Sequence, residues 1–588
     1  MKALLAVVIF LAFASPAPAQ TPLIDYTLQV KNPVLHLYDV QIEISGNRAT
    51  TVDVAMPAWS PGVYAIRDFA RNVQEFDAAN RQNRALSWEQ RDKQTWRISK
   101  ASADDVRVRY RVYSTALNDE LADVTPAAVF MYVVGQTQSP VTVKYEADNG
   151  WKTYTGLEKR GDRFFAASYE ILASSPAFIG EFKVFEVKSK GGLTYRIVFS
   201  NPKIQLTQQQ IEADVEDLAN ETASLFGKPP FKDYVFLVRV QPTPGASSVG
   251  YVNSARVAVG ENDFVNQNAY DGFLLAATQA LVEAWNGNRI RPASMLPYDL
   301  SKEAYSRLLW FTDGASAYLA DMLLLRTGIF SSTEYLLRLS AEVDALQHQP
   351  GRRIVSLEEA SWNVWTRSDN AANSAVSYVL KGKLGSLLVD AEIRSQSGGT
   401  KSLADVVRHL AEETERKSSG LADSKDLAAA IHTATGADVS ELIDDVARVK
   451  NEIDYNRSLG KVGLNVTYAK GPSTLTLGIE FERVEANQAR IRRVLPGSLA
   501  EAARLDSGDI IVTMDSERVT FDNLASRIHA KQIGKTIVLN VMRGERLITL
   551  NLMPAATQSE TWSVSASNNP NPEQLRLRTS ILAEGTKP

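Results

Sequence analysis

Gln279-Ala280-Leu281-Val282-Glu283-Ala284-Trp285-Asn286 is the stretch on which the reading of this chain turns. It lies in a helical candidate from about 272 to 286, where Leu274, Leu275, Leu281 and Val282 read as core residues. Gln279 and Glu283 stand four residues apart, so one helical turn puts an amide and a carboxylate on one face. The Ala280 methyl beside them takes no proton and holds no ion.

Around this stretch the pattern changes twice. From about 22 to 170, alternating runs such as Asp39-Val40-Gln41-Ile42-Glu43-Ile44 and Val106–Tyr113 place apolar side chains on one face only, which predicts an antiparallel β domain. From about 175 to 455 helices are expected. Thr207 with Gln210 forms a candidate capping box ahead of Ile211, Val215, Leu218 and Leu225, and Gly227 ends that run. Further helices are predicted at about 315–327, 372–396, 402–416 and 438–452. Short strands return from about 460 to 553. Beyond Pro554 the chain turns rich in Ser, Asn, Thr and Pro, and a mostly disordered tail is expected. The fold class is α+β multidomain, with a signal peptide at 1–19, a β domain at 20–172, a mostly α domain at 173–455, a smaller domain at 456–554 and the tail at 555–588.

At 588 residues, 22% charged and a formal net charge of -4, the chain has an ordinary globular balance that argues against nucleic acid or an anionic membrane as main partner. Lys2, the apolar Ala3 to Ala14 and Ala17-Pro18-Ala19 read as a secretory signal, so export to a periplasmic or extracellular space is expected, with no membrane span in the mature protein. The sequence holds no cysteine, which excludes disulfides, thiolate metal sites and a cysteine nucleophile.

Three blocks carry a family resemblance. They are Met56-Pro57-Ala58-Trp59-Ser60-Pro61-Gly62-Val63-Tyr64 with Ile66 to Val73; Trp285-Asn286 with Arg289 to Pro292 and Tyr305 to Gly314; and Ser377-Tyr378 with Lys381-Gly382 and Leu387 to Arg394. Together they resemble the glycyl-aminopeptidase family of metallopeptidases, which joins a β-rich N-terminal domain, a thermolysin-like catalytic domain and a PDZ domain. The resemblance implies a His-Glu-x-x-His zinc motif just before Trp285-Asn286. Its first histidine falls on Gln279, its general base on Ala280 and its second histidine on Glu283. The third ligand, a Glu in the family, falls on Asp313. The family's anchor for a substrate amino group falls on Gly250, with Tyr251 where a histidine would follow. Tyr378 matches a tyrosine that would stabilise the tetrahedral intermediate, and alone survives in type.

That set is a poor zinc site. An amide oxygen is weak beside imidazole, Glu283 and Asp313 offer oxygen only, and loss of the general base alone removes about 10²–10⁴-fold in rate. The five histidines, His36, His348, His409, His432 and His529, include no pair at helical spacing. Gln279 and Glu283 read first as a solvated face lining an empty cleft, and second as a rewired metal-independent acid/base. Trp285, Trp310 and Tyr318 read as packing or as the lining of a peptide groove.

Val494 to Ala503, Gly508-Asp509-Ile510-Ile511 and Gly534 to Gly544 resemble a bacterial PDZ domain. The resemblance places its carboxylate loop at Leu477-Gly478-Ile479, with Glu480 beside it. The PDZ domain either captures peptides or protein C-termini or only packs against its neighbour. The expectation is therefore a peptidase-shaped, non-catalytic peptide- or protein-binding protein without a cofactor. The alternative is a zinc metalloaminopeptidase that releases N-terminal Gly or Ala; a third reading is a structural or chaperone-like role.

Overall fold

A computed structural model describes residues 23–582 apart from 148, 149, 205, 263, 265, 367, 418, 451, 555 and 556. The expected signal peptide lies outside the described residues.

Alternation builds the N-terminal domain as its pattern predicts. Val106, Val108, Tyr110 and Val112 are buried while the arginines between them reach solvent, and Ile24, Tyr26, Leu28 and Val30 do the same on Leu23–Val30. A seven-stranded sheet results, in which Leu23–Val30 lies between Val141–Ala147 (parallel) and Leu37–Ser45 (antiparallel). It shares one core with a four-stranded sheet containing Thr51–Ala55. That core does not close on itself. It continues into Met295, Leu300, Leu309 and Trp365 of the next domain, and Trp59 Nε1 donates to the Asp299 and Lys302 carbonyls at 3.0 and 2.8 Å.

The second domain contains a five-stranded sheet that the helical expectation for 173–455 lacks. Its order is Lys183–Lys188, Thr194–Phe199, Asp233–Gln241, Ser254–Gly260 and, at the edge, Ser247–Gly250. Three of these strands pair in parallel, and Tyr234 to Val238 are buried on both faces, so they read as a plain apolar run rather than an alternating one. Helices cover the rest. Gln208–Phe226 begins after Thr207 and stops at Gly227 (φ 81°), but Thr207 makes no side-chain cap, so the expected capping box does not form. The expected helix at 438–452 shrinks to the turns Ser440–Ile443 and Asp444–Arg448.

Two helices fix the domain's centre. Leu309–Arg326 is buried around nearly its whole circumference, as a core helix should be. It crosses Tyr378–Gln396 where glycine meets glycine: a Cβ on Gly314 would sit 2.6 Å from the Gly382 carbonyl carbon, and one on Gly382 2.4 Å from the Trp310 oxygen. Only at such a backbone-to-backbone approach do the two helices come this close.

The expected disordered tail is corrected by the structure. Thr557–Ala566 pairs antiparallel with Leu464–Thr474, and Pro572–Leu582 forms a helix. Leu577, Ile581 and Leu582 are buried in the core of the second domain. Spacing too sparse for a clear stripe hides this helix in the sequence; its three anchors meet a groove that only the fold supplies. The residues from 456 to 474 also belong to this body, since Leu464 and Val466 lie in its core. The smaller domain, with its own core around Leu477, Ile491, Met514, Leu524 and Leu539, is thus inserted between two paired strands. No helix among the described residues is long and apolar enough to cross a membrane.

Candidate functional site

The site helix, Gln267–Val282, starts where the Asn266 side chain accepts from Ala269 N at 3.0 Å. It buries Tyr270, Phe273, Leu274, Ala277 and Leu281 and ends at Glu283. Tyr234 donates its hydroxyl to the Ala280 carbonyl at 2.9 Å, which pins the last turn against the sheet. Gln279 and Glu283 face each other as the spacing predicts, Gln279 Nε2 donating to Glu283 Oε1 at 3.1 Å.

The other Glu283 oxygen accepts from the backbone N–H of Gly250 at 2.8 Å. Asn288 ties the same two residues together, donating to the Gly250 and Glu283 carbonyls at 2.9 and 2.8 Å. At Gly250 the edge strand has collapsed onto the helix. A Cβ there would lie 2.3 Å from the Ala280 oxygen and 2.8 Å from Glu283 Oε2. The volume that a side chain at 250 would enter is filled by the Glu283 carboxylate.

Asp313 reaches the site from the core helix. The Gly314–Gly382 crossing brings it to Tyr378, whose hydroxyl donates to Asp313 Oδ2 at 2.8 Å, and Thr312 Oγ1 donates to Oδ1 at 2.9 Å. The structure thus brings Gln279, Glu283, Gly250, Asp313 and Tyr378 together at one site. It also places Trp285, Trp310 and Tyr318 in the core, each 1% exposed, so these line no groove.

Burial raises both carboxyls. Glu283 is pushed up to about 7, mainly by loss of solvation and then by the nearby Asp313, against the pull of its bonds to Gly250 and Gln279. Asp313 is pushed up to about 6 by burial, against the Tyr378 and Thr312 hydrogen bonds. Each residue keeps a minor part of its surface exposed.

Two aromatic residues complete the surroundings: Tyr251, which the resemblance set beside Gly250, and Tyr64, to which the sequence assigned no site role. Tyr64, from the N-terminal domain, has its hydroxyl raised by burial and by Asp313, Tyr298, Tyr378 and Glu283. Tyr251 is 3% exposed, and burial raises its hydroxyl. Its ionisable neighbours are Glu283 and Tyr298. Tyr64 closes the block Met56–Tyr64 and Tyr251 follows Gly250, so both positions were visible, but nothing local showed that they converge.

These residues do not fit Zn²⁺. The donors are one amide and two carboxylates, no imidazole is among them, and every carboxylate oxygen already accepts a protein hydrogen bond. Among the described residues, no group of three or more His, Asp or Glu side chains is placed to hold a metal ion.

In the inserted domain, Leu477-Gly478-Ile479 enters the edge strand Ile479–Val484, with Gly478 at φ 71° and no room for a Cβ against Ser498. Glu480 points to the outer face, where Arg492 and Arg493 hold it at 2.5 and 2.6 Å. The opposite face carries Phe481, edge-on to Phe521 of the helix Phe521–His529 at 5.5 Å.

The comparisons agree with this architecture. The Peptidase M61 N-terminal domain matches residues 25–181, the M61 glycyl aminopeptidase domain residues 279–384, and a PDZ domain residues 476–553. A crystal structure of an aminopeptidase N family protein from Idiomarina loihiensis is similar at 25% identity and TM-score 0.86, over 94% of this chain and 99% of that one. The M1 zinc metallopeptidase from Deinococcus radiodurans aligns at 11% identity and TM-score 0.46, over 74% of this chain and 94% of that one. A search of curated proteins finds no match.

Proposed function

From the premise that this chain belongs to the M61 glycyl aminopeptidase family and carries a PDZ domain, we propose that it is a catalytically inactive pseudopeptidase that binds peptides or proteins. One observation carries the reading: the Gly250 backbone is packed onto the Ala280 carbonyl and hydrogen-bonded to Glu283. The positions implied for metal, base and amine anchor are thus tied to one another. No water-activating group stands at 280, where the side chain is a methyl.

Peptide capture through the PDZ domain fits its geometry. Ile479–Val484 is the terminal strand of its sheet, so an extended peptide has an open edge to pair with. A terminal carboxylate would lie at the loop Leu477-Gly478-Ile479, beside apolar Ile479 and Phe481. Glu480 is turned away and does not repel it. The sequence at 1–19 supports export to the periplasm or the extracellular space.

The test is elemental analysis of the purified mature protein together with release of Gly or Ala from short peptides. We expect neither stoichiometric zinc nor turnover. Bound zinc with chelator-sensitive release overturns the reading in favour of a metalloaminopeptidase. Free against amidated peptide C-termini test the PDZ groove, and equal binding of both counts against it.

A further inference from the structure

A cavity of about 700 Å³ opens where the two large domains meet, and none of Gln279, Ala280, Glu283 and Asp313 lines it. The N-terminal domain contributes Ile171 and Ser174, in and just after the helix Tyr169–Ala173. The second domain adds Asn288, Arg289 and Leu296, together with Glu415 of the helix Leu403–Lys417. A volume of this size between domains is the ordinary setting of a small-molecule site.

Two arginines line the cavity, and they differ. Arg291 is fully engaged: its Nη1 donates to Glu170 Oε1 at 2.6 Å and to the Met295 carbonyl at 3.3 Å, and its guanidinium lies 4.4 Å above the Tyr298 ring. Glu170 also accepts from Tyr298 N at 3.2 Å, so this pair fastens one domain to the other. Arg289 has one charged partner among the described residues, Glu415 at 2.6 Å. The arginine side chain is 18% exposed and the glutamate 69%. A guanidinium carries five donors, and a pair with so exposed a partner is weakly held. The neighbouring Asn288 spends its Nδ2 on the Gly250 and Glu283 carbonyls, and its Oδ1 accepts from no described residue.

We propose that this cavity binds an N-acylated α-amino acid with an apolar side chain. The ligand's carboxylate takes the place of Glu415 on the Arg289 guanidinium, whose fork of donors suits a planar acceptor with two oxygens. The acyl N–H donates to Asn288 Oδ1. Residues 288 and 289 are consecutive, with Cα atoms about 3.8 Å apart, so a ligand that meets both must carry its anion and its donor close together. An acylated amino acid does so, with both groups on one carbon. Ile171, Val252 and Leu296, which also line the cavity, cover the apolar side chain. The inference is independent of the reading of the motif positions, since it requires neither hydrolysis nor its loss.

The test is calorimetry on the full mature chain with N-acetyl-L-phenylalanine. This acid should bind, and its primary amide should bind about tenfold or more weakly, because a charge-assisted pair is lost. 3-Phenylpropionate keeps the ring and carboxylate but has no N–H, and should also bind less tightly than the acylated acid. Arg289→Gln should lower affinity for the acid to that of the amide, while its melting curve confirms that it is folded. Glu415→Gln, a change at an exposed residue, removes the competing carboxylate and should tighten binding by up to about fivefold. No binding of the acid, equal binding of acid and amide, affinity unchanged by Arg289→Gln, or affinity lowered by Glu415→Gln overturns the proposal. An acetylated tetrapeptide ending in phenylalanine with a free carboxylate separates two sources of the ligand. Binding of it that Arg289→Gln abolishes assigns the cavity to a peptide end, and binding of the single acylated residue alone assigns it to a free small acid.

Discussion

Two acidic clusters each take one aspartate from Leu309–Arg326 and one partner from Tyr378–Gln396, and they are treated differently. Two turns below the motif site, Asp321 and Glu342 share the ammonium of Lys383 at 2.6 Å each. Burial raises Asp321 to about 6 even so, and the two carboxylates raise Lys383. At the motif site, Asp313 and Glu283 have only neutral partners. Asp321 is thus given a counter-charge, while Asp313 and Glu283 have none among the described residues. The second arrangement costs stability.

The largest effect should come from breaking the compensated cluster. Lys383→Ala strands two buried carboxylates and should cost about 3–5 kcal/mol in denaturant unfolding. A loss below about 1 kcal/mol would mean that the two clusters do not differ as described.

The next test concerns pH. Glu283 and Asp313 titrate in the folded protein near 7 and 6, against 4.5 and 3.8 for ordinary side chains. The folded state therefore holds more protons than the unfolded state between about pH 4 and 7. Their contribution to stability is greatest below pH 4 and is lost as pH rises through that window. Each group lowers stability there by at most about 1.4 kcal/mol for every tenfold fall in proton concentration. Glu283→Gln with Asp313→Asn should flatten this part of the stability–pH curve. An unchanged slope would remove the uncompensated pair from the comparison.

A steric change should do less. Gly250→Ala forces a methyl against the Ala280 oxygen and should cost about 1–3 kcal/mol. A neutral result would show that strand and helix are not locked together. The smallest effect belongs to the PDZ domain. Glu480→Ala removes a side chain on the outer face and should alter affinity for a peptide carboxyl terminus by less than about 0.5 kcal/mol. A clear gain in affinity would place Glu480 in the groove after all.

Legibility in the sequence followed the kind of signal. Alternation in Val106–Tyr113 marked a half-exposed strand directly. Tyr234 to Val238, buried on both faces, carried no period and left its sheet unread. At the site, spacing alone put Gln279 beside Glu283. It was silent on the partner of the second Glu283 oxygen, because Gly250 lies far back along the chain on another element. The helix Pro572–Leu582 was lost for a related reason: Leu577, Ile581 and Leu582 make sense only against a groove built by residues far away.

The sequence by itself determined the order of the domains and the chemistry of the motif positions, because local periodicity and residue type need no neighbour to be read. Only the tertiary structure decided that Gly250 presses on Ala280, that Tyr378 is engaged by Asp313, and that Tyr64 of the first domain reaches the site of the second. Those facts depend on the closeness of backbones and the burial of charge, which arise only when distant segments meet.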